Sequence, residues 1–185
     1  TNKQVAVVKT ENVDKFSTIE KIKSANAKIA AESGSAGASA AEEQLSGLDL
    51  AKTAAQTDAL NEVMSNTSDV AIIDSVMAGY YTSTGDYNGK LSIVPDVSFG
   101  EEEYGIAARK EDTGVIDKVN AALSKLYKNG TIAGFAKTDD YDVSGSLIDI
   151  DYTSTGDTAG WDYIEEKGTI VIGYTLFAPI AYEKI

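Results

Sequence analysis

Neither histidine nor cysteine occurs in the sequence, which removes imidazole bases, thiolates, disulfides and the usual zinc sites from consideration. The chemistry left to the chain is that of carboxylates, hydroxyls and main-chain amides, and two places concentrate it. In AKIAAESGSAGASAAEE (residues 27–43) an apolar run stops at Gly34 and an Ala/Glu-rich run begins just after it. A strand-to-helix turn of Gly34, Ser35, Ala36 and Gly37 leaves amides unpaired at a helix N-terminus, where the macrodipole favours negative charge. Small side chains let a carboxylate approach those amides, and Ser35 adds a hydroxyl. The spacing is not that of a phosphate-binding loop or a dinucleotide turn. The same residues also suit an ordinary tight turn with Ser35 as helix cap.

The second place is Asp74, which ends the apolar run DVAIIDSV (residues 69–76). An acid there needs a partner: a ligand cation, a backbone amide, or the start of a helix at Ser75 that it caps. At the carboxyl edge of a parallel sheet, where α/β folds bind ligands, an amide cradle beside an acid suits a small zwitterion. The cradle takes the α-carboxylate at Gly34–Gly37 and Asp74 takes the α-ammonium.

The elements that must position these groups follow from the pattern. QVAVVK (4–9), AKIAAE (27–32), AKTAAQ (51–56), SDVAIID (68–74), LSIVPD (91–96) and EYGIAARK (103–110) read as strands. Helices are expected at STIEKIKSA with a Ser17/Glu20 capping box, at about 38–46, from Thr57 or Asp58 to Met64, and from Ser75 toward Tyr80. The alternation predicts an α/β fold with a mostly parallel sheet flanked by helices. From Thr113 the pattern changes, and Val115, Ile116, Val119, Ala122, Leu123 and Leu126 form one helical stripe ending at Gly130. TIAGFAK is a shorter helix. Residues 139–160, rich in Asp, Ser, Thr and Gly, read as a linker. The hexapeptide YTSTGD occurs at Tyr81–Asp86 and again at Tyr152–Asp157, a coincidence more than a structural repeat. TIVIGY (169–174) is strongly β-prone.

Composition narrows the function classes. A net charge of −13 disfavours nucleic acid and anionic membrane surfaces. No apolar run is long enough to span a membrane. The acidic stretch 140–157 lacks the spacing of a calcium loop, so neither metal nor cofactor is expected. The first residues are not a signal segment.

Taken together, QVAVVKTE, AKIAAESGSAGASAAEE, SDVAIIDS and EEEYGIAARKEDTGVIDKVNAALSKLYKNGTIAGFAK resemble, in order, the second lobe and closing helices of extracytoplasmic solute-binding proteins of ABC importers. The resemblance is to the polar amino-acid-binding group, with a type II periplasmic-binding-protein fold, and it runs from residue 1 to about 138. KGTIVIGYTLFAPIAYEK looks like the opening strand and ligand loop of the first lobe. The resemblance implies a bilobed fold that closes on a polar amino acid about hinge strands at QVAVVK and EYGIAARK, then delivers it to a membrane permease. It implies ligand contacts from Gly34, Ser35, Ala36 and Asp74, and from Tyr174 and Phe177 in the other lobe's first loop. It also implies an extracytoplasmic location, periplasmic or as a cell-surface lipoprotein, and a binding protein instead of an enzyme.

On that reading residues 1–110 are the second lobe with its hinge strands and 111–138 are closing helices of the first lobe. Residues 139–160 are then a linker, and 161–185 open a first lobe. The central first-lobe stretch, with the arginine that clamps the ligand carboxylate, has no counterpart; the single arginine, Arg109, lies in the return segment. A tandem array with a further binding domain, a permuted order, or trimming to one lobe would each produce this arrangement. A sensor module of a receptor, or a dehydratase using Asp74 or Glu101, Glu102 and Glu103 as acid or base, are the alternatives.

Overall fold

The structure is a computed structural model that describes residues 2–138, 142–174 and 177–181. The described chain divides into two compact units, one of residues 2–102 with 177–181 and one of residues 103–174. The first unit carries five strands, β1 (Asn2–Lys9), β2 (Ile29–Glu32), β3 (Leu50–Thr53), β4 (Val70–Asp74) and β5 (Leu91–Glu102), in the order β3-β2-β4-β1-β5. β2 pairs in parallel with β3 and β4, whereas β1 runs antiparallel to both β4 and β5. Four strands therefore point one way and β1 opposes them.

Both faces of this sheet are covered, which is why its strands read as continuous apolar runs and not as alternation. On one face Ala6, Val8, Val70 and Ile72 meet Ile22 of α1 (Ile19–Ser24) and Ala38, Ala41 and Leu45 in and just after α2 (Ala36–Gln44). On the other, Val5, Val7, Ala71 and Ile73 meet Leu60 and Val63 of α3 (Gln56–Met64) and Ala78 of α4 (Ser75–Ser83). The period-two alternation along β1 and β4 divides these side chains between the two faces.

Several local expectations are corrected. Helix α1 is capped by Thr18, whose hydroxyl accepts from the Lys21 amide at 3.2 Å, and not by Ser17, whose hydroxyl donates to the Asp14 carbonyl at 3.1 Å. LSIVPD opens one long strand, β5, that continues to Glu102 and absorbs register shifts against β1 with Asp96 at φ 61°. EYGIAARK forms no strand. Glu102 already pairs with Asn2, the first residue of β1, and the described ladder ends with that pair.

The second unit holds α5 (Thr113–Lys128), α6 (Thr131–Ala136) and α7 (Trp161–Lys167). The face of α5 that is buried carries Gly114, Val115, Asp117 and Ser124, a small and polar surface, while Leu126 on the expected apolar stripe is 36% exposed. TIVIGY lies outside any strand, with Val171 84% and Ile172 76% exposed. High β propensity does not make a strand without a partner for its ladder.

The glycines of the Gly-Ser-Ala-Gly turn answer two different demands. Gly34 sits at φ +76°, the left-handed region that an L side chain enters at a cost. Gly37 lets α2 rest on the sheet, since a Cβ there would come within 2.6 Å of the Ile72 carbonyl oxygen. Gly79 in α4 faces open space. Gly37→Ala should therefore destabilise the protein by about 1–3 kcal/mol through overpacking, despite the better helix propensity of alanine. Gly79→Ala should stabilise it by roughly 0.5–1 kcal/mol. Urea unfolding midpoints of the two variants should move in opposite directions, and equal shifts would refute the close-approach role of Gly37.

Candidate functional site

The chemistry proposed from sequence falls on one edge of the first unit's sheet. β2 and β4 run parallel with Ile29 opposite Val70 and Ala30 opposite Ala71. Continuing that register sets Ser33 level with Asp74, so the Gly34–Gly37 turn and Asp74 leave the sheet at the same carboxyl edge. β1 runs the other way, with Gln4 opposite Asp74, so its beginning lies at that edge too.

The turn builds the start of a helix. Ser35 is the N-cap: its hydroxyl oxygen accepts from the Ala38 amide at 3.0 Å, and its carbonyl accepts from the Ser39 amide at 3.1 Å. The amides of Ala36 and Gly37 precede that first full helical bond and are not used by the Ser35 hydroxyl. They are the donors that a helix N-terminus offers to an anion. Ala36 is exposed and Ser35 half-buried.

Asp74 is 2% exposed and its carboxylate is bound into the fold. Oδ1 accepts from the amides of Val76 at 2.8 Å and Met77 at 3.0 Å, capping α4. Oδ2 accepts from the Asn2 side-chain amide. The helix-capping role is thus realised, and the group is held in one orientation by elements on both sides of it.

Sequence reasoning did not reach the rest of the network. The Asn2 amide nitrogen also donates to Glu102 Oε1 at 2.6 Å, and the Ser75 hydroxyl donates to Asn2 Oδ1 at 2.7 Å. Gln4 Nε2 donates to the same Glu102 oxygen at 2.8 Å. Glu102, expected to belong to a solvated acidic run with Glu101 and Glu103, is half-buried and organises two amide side chains. The remaining atom of Gln4, Oε1, is buried and has no hydrogen-bond partner among the described residues. It lies against Gly37, where an added Cβ would stand 3.0 Å from it. A signal for these residues was present in the period of β1: Asn2 and Gln4 share the face that continues as apolar Ala6 and Val8.

Of the other expected ligand residues, Tyr174 belongs to the second unit and is 64% exposed. Phe177 is half-buried and closes a small bridge with Ala181, their amides donating to each other's carbonyls at 2.6 and 2.8 Å. Tyr80, Tyr81 and Tyr87 pack edge to face, with the Tyr80–Tyr81 centroids 5.2 Å apart and those of Tyr81–Tyr87 5.9 Å apart. Arg109 pairs with Asp112, its Nε 2.7 Å from Oδ2. No helix among the described residues is long and apolar enough to cross a membrane.

No protein-family model and no curated protein matches the chain, but solved structures do. An ancestral amino-acid-binding protein, described as a precursor of cyclohexadienyl dehydratase, is 28% identical with a TM-score of 0.64 over 74% of this chain and 57% of its own. A mutant of ArgBP from T. maritima is 27% identical with a TM-score of 0.62, over 73% of this chain and 56% of its own. An amino acid ABC transporter substrate-binding protein from Streptococcus pneumoniae, bound to L-arginine, shares the fold at 24% identity and TM-score 0.61, over 72% and 55%. This chain is a partial lobe of the amino-acid-binding-protein fold and spans a little over half the length of these relatives.

The hydrogen bonds at Asp74 separate its structural part from its charge. Asn caps helices about as well as Asp, whereas Ala costs about 1–2 kcal/mol. Asp74→Asn keeps the Oδ1 cap but turns an amide NH2 against the Asn2 donor, so it should lose about 1–3 kcal/mol in urea unfolding. Asp74→Ala, which removes the cap as well, should lose more, and an Asp74→Asn variant as stable as the parent would show that the Asn2 bond contributes nothing.

Proposed function

We propose that residues 2–102 are the ligand-holding lobe of an extracytoplasmic protein that binds a polar amino acid and serves an ABC importer. In this reading the ligand α-carboxylate rests on the Ala36 and Gly37 amides with the Ser35 hydroxyl beside them. The α-ammonium is drawn to the acceptor-rich side of the same edge, at Asp74 and Gln4. The Gln4 Oε1 atom carries the proposal. A buried amide oxygen with no partner is costly, and this one lies between the first turn of α2 and the Asn2–Asp74–Glu102 network. An ammonium brings three donors and a positive charge to that position.

Hand-over to a permease and closure about hinges complete the reading. The similarity to an ancestral amino-acid-binding protein and to ArgBP supports the ligand-binding part of the reading. A receptor sensor would use the same lobe. A dehydratase on the same scaffold is the other alternative, with turnover of a cyclic acid as its test.

The test is amide-resolved NMR titration of the full chain with a panel of amino acids that includes L-arginine, beside agmatine, which lacks the carboxylate. A half-site should bind weakly, with Kd around 1 mM, or about −4 kcal/mol. An amino acid should shift the Ala36 and Gly37 amides and the Gln4 side-chain amide, and agmatine only the last. Asp74→Asn should weaken binding roughly tenfold or more. Saturating amino acids that leave all three resonances in place would overturn the proposal.

A further inference from the structure

The segment that composition marks as a linker is bound to α5 by a dedicated set of contacts. Asp117, on the second turn of α5, is 3% exposed and receives four donors from it. The Tyr152 hydroxyl donates to Oδ1 at 2.8 Å, the Thr155 amide at 2.7 Å and the Thr155 hydroxyl at 2.8 Å. The Ser154 hydroxyl donates to Oδ2. These donors hold the Asp117 carboxyl well below the usual carboxylate range, with the Ser154 bond the largest cause.

Contacts above and below extend the attachment along the helix. The Ser124 hydroxyl oxygen accepts from the Tyr152 amide at 3.1 Å, and Lys128 pairs with Asp151 at 2.5 Å. At the start of α5 the Gly114 amide donates to the Ala159 carbonyl at 3.0 Å. Gly114 must be glycine for this approach, since a Cβ would meet the Ala159 nitrogen and the Thr158 carbonyl carbon at 2.5 Å, both backbone atoms. A Cβ on Gly160, at φ +76°, would likewise run into the Asp112 side chain. The Trp161 amide then donates to the Thr158 carbonyl at 2.8 Å, and α7 begins.

The repeated hexapeptide shows that α5 imposes this form. At Tyr81–Asp86 the same six residues end a helix, and their hydroxyls turn back on it: Thr82 to the Ala78 carbonyl, Ser83 to Gly79 and Thr84 to Tyr80. At Tyr152–Asp157 the corresponding Ser154 and Thr155 hydroxyls point instead to Asp117. Both copies carry a left-handed glycine, Gly85 at φ 57° and Gly156 at φ 80°.

We infer that the Gly114–Asp117–Ser124–Lys128 face of α5 is a recognition site for the peptide segment Asp151–Gly160, and that the bound segment is a clasp fixing α7 to α5. The chain after Gly160 is then held at a set position on the second unit, where a free Ser/Thr/Gly tether would leave it mobile. The clasp is independent of any ligand at the sheet edge.

Trp161, the sole tryptophan, follows the clasp directly and reports on it. In the full-length parent, its fluorescence anisotropy should decay with overall tumbling, and the Thr155 and Gly114 amides should be protected from hydrogen exchange. Asp117→Ala removes the acceptor, whereas Gly114→Ala improves helix propensity and blocks docking. Each should add a fast component to the Trp161 decay and speed Thr155 exchange roughly tenfold or more, with Gly79→Ala as an unaffected control. Release in either variant, with the far-UV spectrum retained, supports the clasp. Unprotected Thr155 in the parent, or parent-like behaviour in both variants, overturns it. If Asp117→Ala does not fold, Gly114→Ala alone decides.

Discussion

An ionised carboxylate withdrawn from water must have donors converging on it, and this constraint organises both units of the protein. The two buried carboxylates among the described residues, Asp74 and Asp117, each tie together segments far apart in sequence. Asp74 joins β4 and the start of α4 to Asn2 at the beginning of β1. Asp117 joins α5 to a segment more than thirty residues further along. In each place the charge is matched by oriented amides and hydroxyls, which fix position as well as energy.

The same constraint gives the sheet edge its character. Asn2 is the shared donor between Asp74 and Glu102, and Gln4 spends its amide nitrogen on Glu102 while its oxygen faces Gly37. The α2 turn contributes donors without acceptors and the β1–β4–β5 end contributes mostly acceptors. That division is the ground for proposing a zwitterion as the ligand. The small residues of the turn serve packing and access together, because Gly37 brings the helix onto β4 and so brings its first amides to the edge.

Much of this was legible in the sequence, and the exceptions share a cause. The strands at 29–32 and 70–74, the glycine turn and the acid that ends β4 are local patterns: apolar runs, turn residues, a terminal charge. The roles of Asn2, Gln4 and Glu102 depend on β1 running against its neighbours, which periodicity does not encode, although the polar start of the β1 face hinted at it. EYGIAARK has strand propensity but lies outside the described ladder, whose last pair is Asn2 and Glu102. The α5 stripe misled because hydrophobicity ranks Leu126 above Gly114, whereas the docked segment needs a small surface with one acid. The two YTSTGD copies show the limit most plainly. Six identical residues take two forms, and the difference lies in what stands opposite them.

The opposed direction of β1 has a mechanical corollary. β1 begins where β5 finishes, so the polypeptide threads into the sheet and out of it through neighbouring positions, Asn2 across from Glu102. Both crossings are bonded to the polar cluster that also holds Asp74. Any change in this cluster therefore acts on both strand ends at once, with no relay through the interior.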